Sequence, residues 1–417
     1  MKFELGFGSG TQTLEVPDAN VKAVLKPNQV EVPVKGVEVV AKALRNPIGT
    51  PELSKIVKPG QKIALITSDV TRPVPSYKIL PLILDELFSA GVAADDITVV
   101  FALGNHRKQT IEEQKKLVGE EVFNKVKCID SDPNDCVHMG TTAKLNTPVE
   151  IFTPVAQADI RIGVANIEYH YFAGYSGGEK PIMPGCSTRA AIQSNHSQMI
   201  SPDAVVGKLE GNPVRIDMEQ ALEICPLHFI VNVVLDEKKE ILYAVAGHHI
   251  KAHREGCKLL DGIYSIPIKE RADIVVCSQG GAPKDLNLYQ TQKALDNAKF
   301  AVKKGGVIVL VGSCKEGLGE DVFERWMLEA DSPKALIERV KTNFELGGHK
   351  AAAIALVLEN SDIYLASEMD SKFVESIFLK PFETTQAAFN AAFDKFGPDA
   401  SVIVMPYGGS TVPVLKG

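Results

Sequence analysis

The chain has 417 residues, 45% hydrophobic and 23% charged, with a formal net charge of −7. That length predicts two domains rather than one core, and an acidic balance with scattered Lys and Arg excludes the electrostatic footprint of a nucleic-acid or anionic-membrane binder. The opening MKFELGFGSG lacks the apolar run of a signal peptide, no apolar stretch is long enough to span a bilayer, and the seven cysteines contain no C-x-x-C pair, which suits reduced thiols in a cytoplasm.

Along the chain, apolar β-rich runs alternate with helical stretches. KIALITSD reads as a strand ending in the turn TRPVPS, and YKILPLILDELFSAG as a helix with a glycine stop. ITVVFALG is a second buried strand, followed by NHRKQT and the helical IEEQKKLVG. ADIRIGVANI is a third and runs into YHYFAGYSGGEKPIMPG, Tyr169 to Gly185. LHFIVNVVLD, ADIVVCSQGG, GGVIVLVGS and ASVIVMPYGG behave alike. Strand, loop, helix, strand predicts an α/β fold: two domains, each on a mainly parallel sheet flanked by helices. A new series begins near SIPIKERAD. The expected division is 1–266 plus 397–417 against 267–396, with the last strand returning to the first domain.

The loop Tyr169–Gly185 invites a phosphate-binding reading, but it fails the P-loop pattern. Counted from Gly174, the second glycine is Glu179, and the hydroxyl residue after the lysine is Pro181. Glu179 adds negative charge, and Pro181 offers neither a hydroxyl nor an N–H. Gly174, Gly177 and Gly178 can converge backbone N–H groups on one phosphate, or they can simply supply positive φ in a tight turn. Both readings stand at this point.

In open α/β sheets ligands sit outside the carboxyl ends of the strands. The first end offers Ser68, Asp69, Thr71 and Arg72; the second Asn105, His106 and Arg107; the third Glu168, His170 and, across the loop, Lys180. His196 follows, and after the boundary come Asp285, Tyr289, Gln290 and Lys293, with Tyr289 and Lys293 four apart on one helical face. Plainer roles compete: Asp69 as a turn cap, Arg72 as its surface partner, each histidine as a structural hydrogen-bonder. His249 and His253 have helical ligand spacing but lack H-E-x-x-H, and they read as a solvated helix face. Three chemistries could use these residues: a zinc held by three histidines, a kinase (disfavoured by the failed P-loop), or a nucleotide-like cofactor with Lys180 as covalent tether.

In order, SDVTRPVPS, GNHR, YHYFAGYSGGEK, PIMPG, SNHS, NVVLDE and LYQTQK resemble the nickel-dependent lactate racemase family over nearly the whole chain. The resemblance implies that Lys180 is joined through a thioamide to a pyridinium-3,5-bisthiocarboxylate mononucleotide carrying nickel, the nickel-pincer nucleotide. It implies Asp69, Ser176, Gly177 and Gly178 as further cofactor contacts, His196 as a nickel ligand, and His106 and His170 as the acid/base pair. Arg72, Tyr289, Gln290 and Lys293 would bind the substrate in an interdomain cleft, the second domain closing over it. The implied reaction is racemisation or epimerisation of a 2-hydroxy acid by proton-coupled hydride transfer through a 2-keto acid, with cofactor-building enzymes as partners. The alternatives are a non-catalytic nucleotide- or metal-binding α/β protein and a zinc-dependent hydrolase. Two departures qualify the match. Glu179 replaces a basic residue that some relatives carry, and Gly347, Gly348, His349 and Lys350 stand where lactate enzymes have a tryptophan-containing segment, the single Trp326 lying elsewhere in the chain. His349 or Lys350 would then meet a second polar group of a different 2-hydroxy acid, or GGHK is only a helix start.

Overall fold

The computed structural model describes residues 1–72, 74–236 and 238–416. The chain divides into two compact units, Val30–Asp261 and Met1–Gln29 with Gly262–Gly417. The strands of the two main sheets are, in chain order, β1 (Val21–Val24), β2 (Ile63–Ser68), β3 (Ile97–Ala102), β4 (Lys127–Asp130), β5 (Ile160–Asn166), β6 (Phe229–Leu235), β7 (Ile241–Gly247), β8 (Ala272–Ser278), β9 (Val302–Val311), β10 (Asp362–Ala366), β11 (Lys380–Phe382) and β12 (Val402–Met405). The helices that matter below are α1 (Ser76–Ser89), α2 (Ile111–Val118), α3 (Arg189–His196), α4 (Pro213–Ile224), α5 (His249–Tyr264), α6 (Leu288–Ala298), α7 (Asp321–Glu329) and α8 (Gly348–Leu358).

In the unit Val30–Asp261 the strand order is β7-β6-β5-β2-β3-β4, parallel except for β7. Every residue of β5 and β6 is buried, as expected of strands covered on both faces. Helix α1 buries Ile79, Leu80, Ile83, Leu84 and Leu87 along one stripe, each contributing about 1.5–3 kcal/mol of apolar burial. Helix α2 starts with a capping box: Thr110 accepts from the Glu113 amide, and the Glu113 carboxylate accepts from that of Thr110. The chain runs outward through β2, β3 and β4, then crosses back to β5 on the other side of β2. The β2/β5 boundary is thus a topological switch point, the place where open α/β sheets bind ligands beyond the carboxyl ends.

The other unit carries an all-parallel sheet ordered β11-β10-β9-β8-β12-β1, with its own switch point between β8 and β12. Here the expected division is corrected. β12 pairs with β8, and β1 pairs with β12, so both chain termini extend this sheet rather than the first. Val412–Leu415 likewise pairs with Ser265–Ile268, and Asn28 N donates to Ile263 O at 2.8 Å. An apolar strand carries no mark of which sheet it will join, so nothing local in ASVIVMPYGG distinguished the two. Among the described residues no helix is long and apolar enough to cross a membrane.

Candidate active site

The residues after β2 and β3 are tied to one another. Asp69 is 2% exposed, and its Oδ2 is hydrogen-bonded to His106 Nδ1, while Oδ1 accepts from Thr71 N at 2.9 Å and Thr71 Oγ1 at 2.6 Å. Burial pushes the Asp69 carboxyl up, but His106 and Thr71 outweigh it and hold it below the usual carboxylate range. The carboxylate on Nδ1 fixes the orientation of the His106 ring. Asp69, expected to touch cofactor, therefore has both oxygens engaged in holding the loop and orienting His106. Arg72 is exposed and donates to Thr71 Oγ1 at 3.2 Å.

The glycine loop folds back onto the sheet. A two-residue ladder pairs Tyr169 with Tyr175 and His170 with Gly174. Gly174 has φ +77°, and a Cβ there would stand 2.2 Å from Lys208 O; a Cβ on Gly178, at φ +63°, would run into the His253 ring. At these two positions glycine is required by the turn and by close packing. Ser176 Oγ donates to Asn166 O at 2.7 Å and accepts from Glu168 N at 2.8 Å. The loop exit docks beside His106: Gly104 N donates to Gly185 O at 2.9 Å.

Arg215 of α4 grips this loop from beneath. Its guanidinium donates to Glu179 Oε2 at 2.5 Å, to Ala173 O at 3.1 Å and to Tyr175 O, and all of it is buried. Asn212, the α4 N-cap, adds a bond from Nδ2 to Phe172 O at 2.8 Å. Lys180 is half-buried and makes no ion pair among the described residues. Burial, then the charges of Arg215 and Arg72, drive its pKa well below the usual lysine range, with Glu179 opposing.

His170 accepts from Ala173 N at 3.3 Å through Nδ1. Burial, reinforced by Lys180, His196, Arg72 and Arg215, pushes its imidazole well below the usual histidine range. The Phe172 ring meets both His170, at 4.5 Å between centroids, and His196, at 5.0 Å. His196, at the end of α3, is 8% exposed, and its Nδ1 lies 2.9 Å from Asn195 Oδ1. Asn195 Nδ2 donates to Val214 O at 3.0 Å and Asp217 Oδ2 at 2.9 Å, which fixes the amide so that its oxygen receives the Nδ1 proton. His170, Lys180, His196 and Arg72 therefore share one electrostatic neighbourhood at the switch point. Among the described residues no three His, Cys, Asp or Glu side chains converge as a metal-binding group, so a three-histidine zinc site lacks its ligand set.

Residues 7–207 match the family model of the lactate racemase N-terminal domain, and residues 268–413 that of the lactate racemase C-terminal domain. The chain belongs to the lactate racemase family. It is 33% identical to the lactate racemase of Thermoanaerobacterium thermosaccharolyticum over 420 residues, 98% of each chain. It is 32% identical to that of Lactiplantibacillus plantarum over 418 residues, 97% of this chain and 98% of the other. Among solved structures it matches the lactate racemase apoprotein of T. thermosaccharolyticum with a TM-score of 0.89 at 32% identity, covering 99% of this chain and all of that one. A Thermotoga maritima protein shares the fold at a TM-score of 0.65 and 17% identity. As a member of this family the chain is an isomerase.

In the other unit of this lactate racemase family member, α6 begins just beyond the β8 end, where Asn287 caps it by accepting from Gln290 N at 3.0 Å. Tyr289 and Gln290 are half-buried and Lys293 is exposed. Asp285 instead ties down backbone, accepting from Gly8 N at 2.8 Å and Ser313 N at 3.1 Å. GGHK does open a helix, α8, with His349 and Lys350 both buried in its first turn. Lys350 Nζ donates to Tyr289 O at 2.6 Å and lies 4.0 Å from the centre of the Tyr289 ring. Burial takes His349 down to about 3. Trp326 of α7, set apart from this segment in the sequence, packs against it: a Cβ on Gly348 would stand 2.3 Å from the indole.

The sequence reading missed Arg215, Asn195 and Asp217. The signals were faint: Gly-Asn-Pro before VRIDMEQAL marks a capped helix start, and an arginine at the core-facing spacing of Val214 and Met218 calls for a buried partner. It also misjudged His253, which lies buried under the loop with Nε2 2.8 Å from Ser176 O, not on a solvated face.

Proposed function

We propose that this isomerase racemises lactate or a closely related 2-hydroxy acid, with His106 and His170 moving the hydroxyl proton, Arg72 holding the carboxylate and Lys180 anchoring a nickel-pincer nucleotide to which His196 contributes a nickel ligand. The observation that carries the reading is the gathering of Lys180, His170, His196 and Arg72 at the switch point of a chain that aligns end to end with lactate racemases.

The residues fit such a cofactor. Lys180 is an amine that pairs with no carboxylate among the described residues and whose basicity is depressed, which is the state a nucleophilic tether needs. Asn166 Nδ2 and Asn232 Nδ2 are buried donors without partners among the described residues, and Asn166 O and Asn232 Oδ1 lie against Gly177, so acceptors such as phosphate oxygens would satisfy the two amides. The tautomer of His196 set by Asn195 suits a soft divalent metal at Nε2, and one protein ligand suffices when a cofactor brings the others. When bound, that cofactor supplies a reversible hydride acceptor.

The chain's own groups do the rest. Abstracting the proton on the alpha carbon directly would build a carbanion beside a carboxylate, beyond the reach of an imidazole. Taking the hydroxyl proton is within reach. His106 would be held in place for this by the Asp69 carboxylate on its Nδ1. His170, neutral among cations, returns its proton readily. Arg72 would grip the substrate carboxylate with a two-pronged guanidinium while the rest of the molecule reorients. Tyr289, Gln290 and Lys293 would complete the substrate contacts, and cofactor-building enzymes would load the chain. The reading places the enzyme in a reducing cytoplasm, in keeping with seven unpaired cysteines. The test is a chiral assay on chain co-produced with the cofactor-building enzymes, using lactate, malate, and longer aliphatic and aromatic 2-hydroxy acids. Interconversion of at least one pair is expected, and inertness toward all of them in loaded protein overturns the proposal.

A further inference from the structure

Glu179 and Arg215 form an ion pair with both side chains fully buried. Such pairs are a poor source of stability, because desolvation offsets the attraction, so the pair asks for another reason. Its position supplies one. Glu179 is the immediate neighbour of Lys180 and a carboxylate whose charge acts on that amine, against Arg215 and Arg72. His170 also faces Lys180 from the ladder, and His253 and His249 of α5 face Glu179. Yet Glu179 turns to α4, not to its neighbour.

We propose that Arg215 is a positioning residue for Lys180: it claims the Glu179 carboxylate and pins the turn through Ala173 O and Tyr175 O, so that the next amine in the chain stands without a counter-ion. This rests on the reading of Lys180 as the covalent anchor. With the guanidinium removed, Glu179 would be a buried, uncompensated carboxylate, and the adjacent Lys180, whose amine already feels its charge, is a cation able to pair with it, alongside His253 and His249 of α5. That new pair would hold a proton on the amine and take away the lone pair that bonding to a cofactor requires.

The experiment is carbamoylation of the cofactor-free chain by cyanate near neutral pH. The small reagent adds to unprotonated amines, and the rate at Lys180 is read by peptide mass spectrometry against exposed Lys372. Arg215→Met is expected to slow Lys180 labelling about tenfold or more, since one pKa unit is tenfold in free amine. Adding Glu179→Gln to that variant should bring the rate back to within about threefold of the parent, a rescue that mere loosening of the loop would not give. Wild-type labelling in Arg215→Met, or no rescue in the double variant, overturns the proposal. Should Arg215→Met fail to fold, Glu179→Gln alone decides: labelling at or above the parent rate is expected, and slower labelling contradicts it. Because cofactor is absent throughout, these outcomes are separable from a failure of Lys180 to carry cofactor in co-produced protein.

Discussion

The strands β3 and β5 are each followed by a histidine, His106 and His170, in opposite surroundings. His106 has a buried carboxylate on its Nδ1 and a threonine beside it. His170 has a backbone amide on Nδ1 and four positive or protonatable groups around it: Lys180, His196, Arg72 and Arg215. The first ring is held by a hydrogen-bonded carboxylate, while burial and the surrounding positive charge keep the second well below the usual histidine range. If these two histidines are the acid/base pair of the proposed reaction, a pair serving two mirror-image substrates need not be built symmetrically. Enantiomers have equal free energy, so kcat/KM must match in the two directions for any variant, and the asymmetry has to surface in pH dependence.

The largest expected effect comes from removing what both sides share. Lys180→Ala should lose cofactor loading entirely and racemisation to background, read by intact mass and chiral assay. Next, His106→Ala and His170→Ala should each keep loading but lower turnover about 10²–10⁴-fold, the usual worth of a general acid or base; normal rates in both would break the comparison. Asp69→Asn sharpens it: with the carboxylate gone from Nδ1, turnover should fall about tenfold to a hundredfold while metal content and loading stay unchanged. The matching substitution at the other site, His170→Gln, should remove a group that remains neutral well into acid, so the acid limb of the rate profile should move while the alkaline limb does not.

The smallest effect is on stability. His253, beneath the loop, is held down to about 4 by burial and by Arg215. Its folded pKa lies below the unfolded value, so from pH 6.5 down to about 4 the unfolded chain takes up a proton that the folded one refuses. Stability is full above 6.5 and drops by about 3 kcal/mol across that window, at 1.36 kcal/mol per unit. Urea unfolding of His253→Gln should show a flatter slope there than the parent.

What the sequence disclosed followed from covering. Parallel strands buried on both faces write themselves as continuous apolar runs, so β2, β3, β5 and β6 were legible, as was the helix IEEQKKLVG. β1 was not: VKAV alternates half-buried and exposed residues at a sheet edge and looks like any short loop. The histidines and Lys180 were legible because polar residues at strand ends are few. Arg215 and Asp217 were not, because Arg215 meets Glu179 across 36 residues and Asp217 meets Asn195 across 22, separations that no local pattern spans. His253 was misjudged because only the missing side chain of Gly178 makes room for its ring.

Peptide mapping of Lys180 in chain co-produced with the cofactor-building enzymes tests the central claim most directly. The account predicts a stable mass addition confined to the peptide bearing Lys180 and lost in Lys180→Ala. An unmodified Lys180 in protein that nevertheless interconverts 2-hydroxy acid enantiomers would contradict it.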